Sequence, residues 1–170
     1  VGRDRDRDRN CDHGPVIVRW ERPQRPITVN VVTGTSLRLL STASGRTFAA
    51  WLPAAQTEAQ IAKELRNESS VSGFKTRAEV DAMLERVRED GVAPVTRHYL
   101  FSGVEAIAAP IFNFKNEISM SMVVVGVHGM FDMAEGSPVY EKLRASADAL
   151  SWRLGATRRG RMDVSPRLTE

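Results

Sequence analysis

A single cysteine, Cys11, in 170 residues excludes an internal disulfide. Only His13 stands near it, too few ligands for a structural zinc site, so Cys11 reads as an ordinary free thiol. The three histidines, His13, His98 and His128, fall in no spacing that serves catalysis or metal binding. Phosphate-cradling glycine loops and paired-glycine fingerprints are missing as well. No stretch approaches the roughly 18 apolar residues that a membrane crossing requires, and the opening Val-Gly-Arg-Asp-Arg-Asp is the opposite of a secretory signal. These absences predict a cytoplasmic protein with no catalytic residues, no metal and no cofactor.

What is present describes a soluble globular domain. Hydrophobic residues make up 42% and charged residues 26%, enough apolar material for a core and far from a disordered composition. The length suits one domain. The net charge of +3 could suggest nucleic acid, but the arginines collect at the ends. Arg3, Arg5, Arg7 and Arg9 alternate with Asp4, Asp6 and Asp8, while Arg158, Arg159, Arg161 and Arg167 lie in a tail. No compact basic face is indicated.

Residues 1–14 lack apolar periodicity and read as an irregular arm. Strands are predicted over Pro15–Trp20, which is β-branched and ends before Pro23 and Pro26, and around Ile27, Val29 and Val31, which alternate with polar residues. From Ser41 the period becomes helical: Ala43, Phe48, Ala49, Trp51 and Leu52 suit a helix that starts at Thr42–Gly45 and stops at Pro53. Thr57 with Gln60, and Thr76 with Glu79, each match a capping box, and Gly91 stands where a left-handed cap would end the third helix. Strand character returns over Val95–Leu100, over Val104–Phe112 with Pro110 marking an edge or bulge, and over Glu117–Gly126. In the last of these, Ile118, Met120, Met122 and Val124 are predicted on one face and Ser119, Ser121, Val123 and Val125 on the other. Asn113–Asn116 reads as a hairpin turn. A final helix is opened by Ser137-Pro138, carries Val139, Leu143, Ala147, Leu150 and Leu154 on one face, and is closed by Gly155. Residues 156–170 are expected to be a flexible tail. Too few strand-helix-strand units occur for a parallel sheet, so the predicted class is α+β, an antiparallel sheet with helices packed on it.

For chemistry the residues offer two readings of Ser41–Gly45. The small residues at a helix start would let an anion reach free amides at the positive end of the helix dipole. They would equally let the helix start pack tightly on the sheet. A nucleophilic Ser44 lacks the flanking Gly-x-Ser-x-Gly pattern.

The segment Gly34–Pro53, Gly-Thr-Ser-Leu-Arg-Leu-Leu-Ser-Thr-Ala-Ser-Gly-Arg-Thr-Phe-Ala-Ala-Trp-Leu-Pro, resembles the signature of the effector-binding domain of the IclR family of bacterial transcription regulators. That signature has a glycine, a spacer, Pro-Leu-His, small residues, Gly-Lys and an apolar helix ending at Leu-Pro. The rest follows in order: the helix ending Arg86-Val-Arg-Glu-Asp-Gly91, the segment Ser102–Phe112, the apolar strand ending at Gly126, and Ala149-Leu-Ser-Trp-Arg-Leu-Gly155. Here Arg38-Leu39-Leu40 replaces Pro-Leu-His, and Arg46 replaces the lysine, with solvation at the surface as its expected role.

The resemblance implies a GAF/profilin-like domain over residues 15–155 with a sheet of about six strands. It also implies a small organic or aromatic acid effector, a homodimer or homotetramer, and repression or activation of operons. Operator DNA would be reached only through an N-terminal winged helix-turn-helix outside this chain. A stand-alone GAF-like ligand-binding or signalling module is the alternative that the same fold would permit. Carried over position by position, the ligand's carboxylate falls on the backbone of Ala43 and Ser44, and an apolar wall on Val29, Leu37 and Val104. An acidic family position falls near Val95 or Thr96, with a one-residue gap. Two serines and a cysteine of one well-studied type of member are replaced by Val123, Val125 and Ala106. A small polar acid would then bury oxygens without partners, at roughly 1–3 kcal/mol each, so a larger apolar or aromatic acid is expected.

Overall fold

A computed structural model describes residues 14–21, 32–96 and 103–157 of the chain. Most of the expected arm, the strand around Val29, His98, and the tail from residue 158 lie outside the described residues. Three helices come first: α1 (Ala43–Trp51), α2 (Ala54–Ser72) and α3 (Arg77–Asp90). They are followed by strands β1 (Ala93–Val95), β2 (Val104–Phe112) and β3 (Ile118–Val127), and by helix α4 (Pro138–Arg153). The strands form an antiparallel sheet in the order β1-β2-β3. The predicted α+β class therefore holds.

The strand number does not. Among the described residues the sheet has three strands rather than about six. Pro15–Trp20 contributes only an isolated bridge, Val16 to Ser36, with backbone bonds from Leu37 N–H to Pro15 and from Ile17 N–H to Thr35. Val16 and Val18 both face solvent there, so no packed face extends the ladder. The strand expected over Val95–Leu100 starts earlier, at Ala93, and is described only to Val95.

Local signals explain most helix ends. The Thr42 hydroxyl accepts from the Gly45 amide at 3.0 Å and opens α1. Thr76 and Glu79 close the capping box of α3, and Gly91, at φ 72°, ends it in the left-handed region that glycine enters without strain. Ser137 caps α4, with Pro138 in its first turn. Thr57, by contrast, is not a cap. Helix α2 already begins at Ala54, with the Gln56 amide on the Pro53 carbonyl, so Thr57 is buried one turn inside it and Gln60 turns to Glu64.

Because the Thr76 cap and Glu79 serve the same helix start, Thr76→Ala should lower stability by about 1 kcal/mol, read as a shift in the urea midpoint with unchanged slope. The Lys75 and Thr76 amides hold the Glu79 carboxyl below its ordinary value of 4.5. The support it gives is thus in place above that value and is lost as the pH falls from there through the lowered one.

The sheet has a helical layer on each face. Ile107, Ala109 and Ile111 of β2 meet Tyr140, Leu143 and Ala147 of α4, with Met122 and Val124 of β3 beside them. On the other face Ala106 and Ala108 of β2 pack with Ala43 of α1, together with Val95, Val123 and Val125. Behind α1, its residues Ala49 and Ala50 join Ile61 of α2 and Val80, Leu84 and Val87 of α3.

The predicted alternation of β3 breaks at one point. Between Ile111 and Phe112 the register shifts, leaving Ser119 as an extra residue whose hydroxyl donates to the Ile111 carbonyl at 3.2 Å. This bulge turns Ile118 to the α1 side, where it packs with Phe112 near Phe48, Trp51 and Leu52. Pro110 lies just before the irregularity and beyond the reach of β1, which pairs only Ala106–Ala108, so its missing N–H breaks no bond to β1.

Candidate functional site

The turn that leads into α1 is fixed from four sides. Glu64, 2% exposed on α2, accepts from the Leu39 and Leu40 amides, each at 2.8 Å, and from the Gln60 side chain at 3.0 Å. The Thr42 hydroxyl donates to the Arg38 carbonyl at 2.7 Å. Gly45 lies so close to this turn that a β-carbon there would meet the Arg38 carbonyl oxygen at 1.9 Å. Arg46 sends its Nε to the Leu40 carbonyl at 2.8 Å and one terminal nitrogen to Pro94 at 3.2 Å. Its guanidinium also stands over the Phe74 ring, 5.1 Å from the centroid.

Arg46 was expected at the surface and is instead a half-buried staple between this turn and β1. Burial pushes its guanidinium down to about 10, still far above neutrality, so the group remains charged. It bonds to carbonyl oxygens, and no carboxylate pairs with it among the described residues.

With the Gly45 amide taken by Thr42 and the Arg46 amide by the Thr42 carbonyl, two first-turn amides remain, those of Ala43 and Ser44. Neither finds an acceptor among the described residues. They sit at the positive end of the α1 dipole, the arrangement that favours a carboxylate. Opposite them is the apolar wall of Val95, Ala106, Ala108, Val123 and Val125. The Ser44 hydroxyl meets the Ser121 hydroxyl of β3 at 3.2 Å. A hydroxyl cannot serve as a general base toward Ser44, so this contact gives no nucleophile.

Of the predicted residues, the fold brings together Ala43, Ala106, Val123 and Val125, and Ser44 through its contact with Ser121. Val104 is buried further along the α1-facing row of β2, outside that cluster. Thr96 is exposed just after β1, and half-buried Leu37 belongs to the segment paired with Pro15. Val29 lies outside the described residues. Sequence reasoning missed Glu64, Ala108 and Ser121, and of the alternatives Val95 and Thr96 it is Val95 that joins the wall. Only Ser121 was signalled, by its parity with Val123 and Val125.

His128 also acquires a partner that spacing did not suggest. Its Nδ1 lies 2.5 Å from Glu105, a buried carboxylate that also accepts the Gly129 amide at 3.2 Å. Glu105 shares the α4-facing row with Ile107 and Ala109, so this pair ties down the end of β3 on the other side of the sheet.

The bacterial transcriptional regulator IclR C-terminal family matches residues 8–152. Among solved structures, Pseudomonas aeruginosa HmgR superposes with a TM-score of 0.73 at 32% identity, over 84% of this chain and 55% of that one. An IclR transcriptional regulator from Alicyclobacillus acidocaldarius gives a TM-score of 0.67 at 21% identity, over 85% and 57%. Thermotoga maritima IclR gives 0.62 at 21% identity, over 78% and 53%. The two more distant structures speak for the fold alone. This chain thus spans a little over half the length of each of these proteins. Among curated proteins none matches at a significant level. No helix of the described residues is long and apolar enough to cross a membrane.

Proposed function

Since this chain belongs to the IclR C-terminal family of bacterial transcriptional regulators, and so is an effector-binding regulatory domain, we propose that it takes an aromatic or otherwise largely apolar carboxylic acid at the start of α1. The single observation that carries this reading is the pairing of two first-turn amides without acceptors, Ala43 and Ser44, with a wall of valine and alanine side chains. An ionised carboxylate is acceptor-only and suits the amides, while an apolar body suits the wall. Val29, Leu37, Thr96 and Val104 are proposed to complete the lining.

In this reading the domain acts in the cytoplasm as a homodimer or homotetramer. Operator DNA is reached through a winged helix-turn-helix outside these 170 residues, and the occupied site modulates that contact.

A thermal-shift panel tests the ligand class. Benzoate and phenylacetate are expected to raise the melting temperature by roughly 5–10 °C at about 100 times Kd, and pyruvate and glyoxylate to leave it unchanged. A response to the two small 2-oxo acids alone would contradict the proposal.

A further inference from the structure

The start of α1 is shut in this structure. Ala43 is 1% exposed and Ser44 7%, and the Ser44 hydroxyl is engaged by Ser121 across the seam between α1 and β3. A ligand oxygen cannot reach the two amides while that seam stays closed. The rest of α1 is held elsewhere: Arg46 to Leu40 and Pro94, Gly45 against the Arg38 turn, and Trp51 edge-on to Phe112 at 5.9 Å between ring centroids. Toward β3, the start of the helix has only half-buried Val123 and Val125 and one neutral hydroxyl-to-hydroxyl bond. This attachment of the helix start to β3 lies over the two amides that have no acceptor among the described residues.

We propose that the Ser44–Ser121 contact is a clasp that keeps the effector site closed, and that effector binding parts the start of α1 from β3. The inference rests on the ligand reading above and assigns Ser121 a role in access. Closed, the Ser121 hydroxyl donates to that of Ser44, and the two amides have no acceptor among the described residues. Open, a carboxylate accepts from the Ala43 and Ser44 amides and from the freed Ser44 hydroxyl. Three donors then face the acceptor-only carboxylate, and charge-assisted bonds replace one neutral bond. A ligand without an anionic end gains little from opening the seam, so the clasp adds to selectivity for acids.

Phenylacetate is the probe, titrated calorimetrically against the full chain carrying Cys11→Ser. Ser121→Ala removes the clasp and should tighten binding by about two- to tenfold, because a larger share of the protein is already open. The double variant Ser44→Cys with Ser121→Cys places two thiols where the present hydroxyls meet at 3.2 Å, so that oxidation can link them. Oxidised, it should lose binding, and dithiothreitol should restore it. Wild-type affinity in the oxidised double variant, or unchanged or weaker binding by Ser121→Ala, overturns the clasp and leaves the ligand reading standing. If the Cys11→Ser protein itself binds neither phenylacetate nor any other acid of the panel, the ligand reading falls and takes the clasp with it.

Discussion

Gly45→Ala is expected to destabilise the domain by about 3 kcal/mol or more and to lower its melting temperature by roughly 6–12 °C. Two effects oppose each other at this position. Within a helix, alanine is better than glycine by about 1 kcal/mol, so on propensity alone the substitution would stabilise. The added methyl group, however, would lie 1.9 Å from the Arg38 carbonyl oxygen, 2.6 Å from the Leu39 α-carbon and 2.7 Å from the Arg38 carbonyl carbon. All three are backbone atoms, so no side chain can swing aside. Either α1 or the Arg38–Leu40 turn must move, and that turn is held by Glu64, Thr42 and Arg46. Thermal and urea unfolding of the variant would measure the outcome. A variant as stable as the parent would mean that turn and helix are not in contact as described.

Removing the carboxylate that holds the same turn should cost nearly as much, about 2–4 kcal/mol for Glu64→Gln. Each carboxylate oxygen takes one backbone amide, Leu39 on one and Leu40 on the other, and the Gln60 side chain shares the first. A glutamine keeps the shape but has a single oxygen. Its NH2 group would then point at a backbone N–H, leaving two donors face to face in a buried place. Leucine at the same position would fill the volume yet leave both amides unsatisfied, so it should be no better. The measurement is the urea midpoint at unchanged slope, and a Glu64→Gln protein that unfolds where the parent does would remove Glu64 from this role.

What could be read from the sequence was mostly local. Thr42, Thr76 with Glu79, Gly91 and Ser137-Pro138 act within one turn of the chain, and each ends or opens the helix that it was expected to. The parity of Val123 and Val125 placed them together on the α1 side because a two-residue period survives wherever a ladder is regular. It failed at Ile118, where one extra residue reverses every face beyond it, and the hydrophobic pattern of β3 carries no mark of that residue. The Thr57 pattern misled because a capping box specifies a cap only where the helix has not already begun, and the alanines after Pro53 begin it sooner.

Glu64 and Arg46 were illegible for a different reason. Glu64 sits between Lys63 and Leu65 and has the appearance of a solvated helix position. Its partners Leu39 and Leu40 lie 25 and 24 residues away. Arg46 reaches Pro94, 48 residues on, through a backbone carbonyl that every residue possesses. Contacts made to the main chain leave no signature in the residue type of the partner.

Over the start of α1 the middle strand presents only the methyl groups of Ala106 and Ala108. It brings the helix near without giving the gap a contour. Whatever relief a guest would feel on the sheet side is carved by the branched side chains of β3, so a descendant of this protein could be refitted to a bulkier or slimmer molecule by exchanging Val123 or Val125, with the central strand untouched.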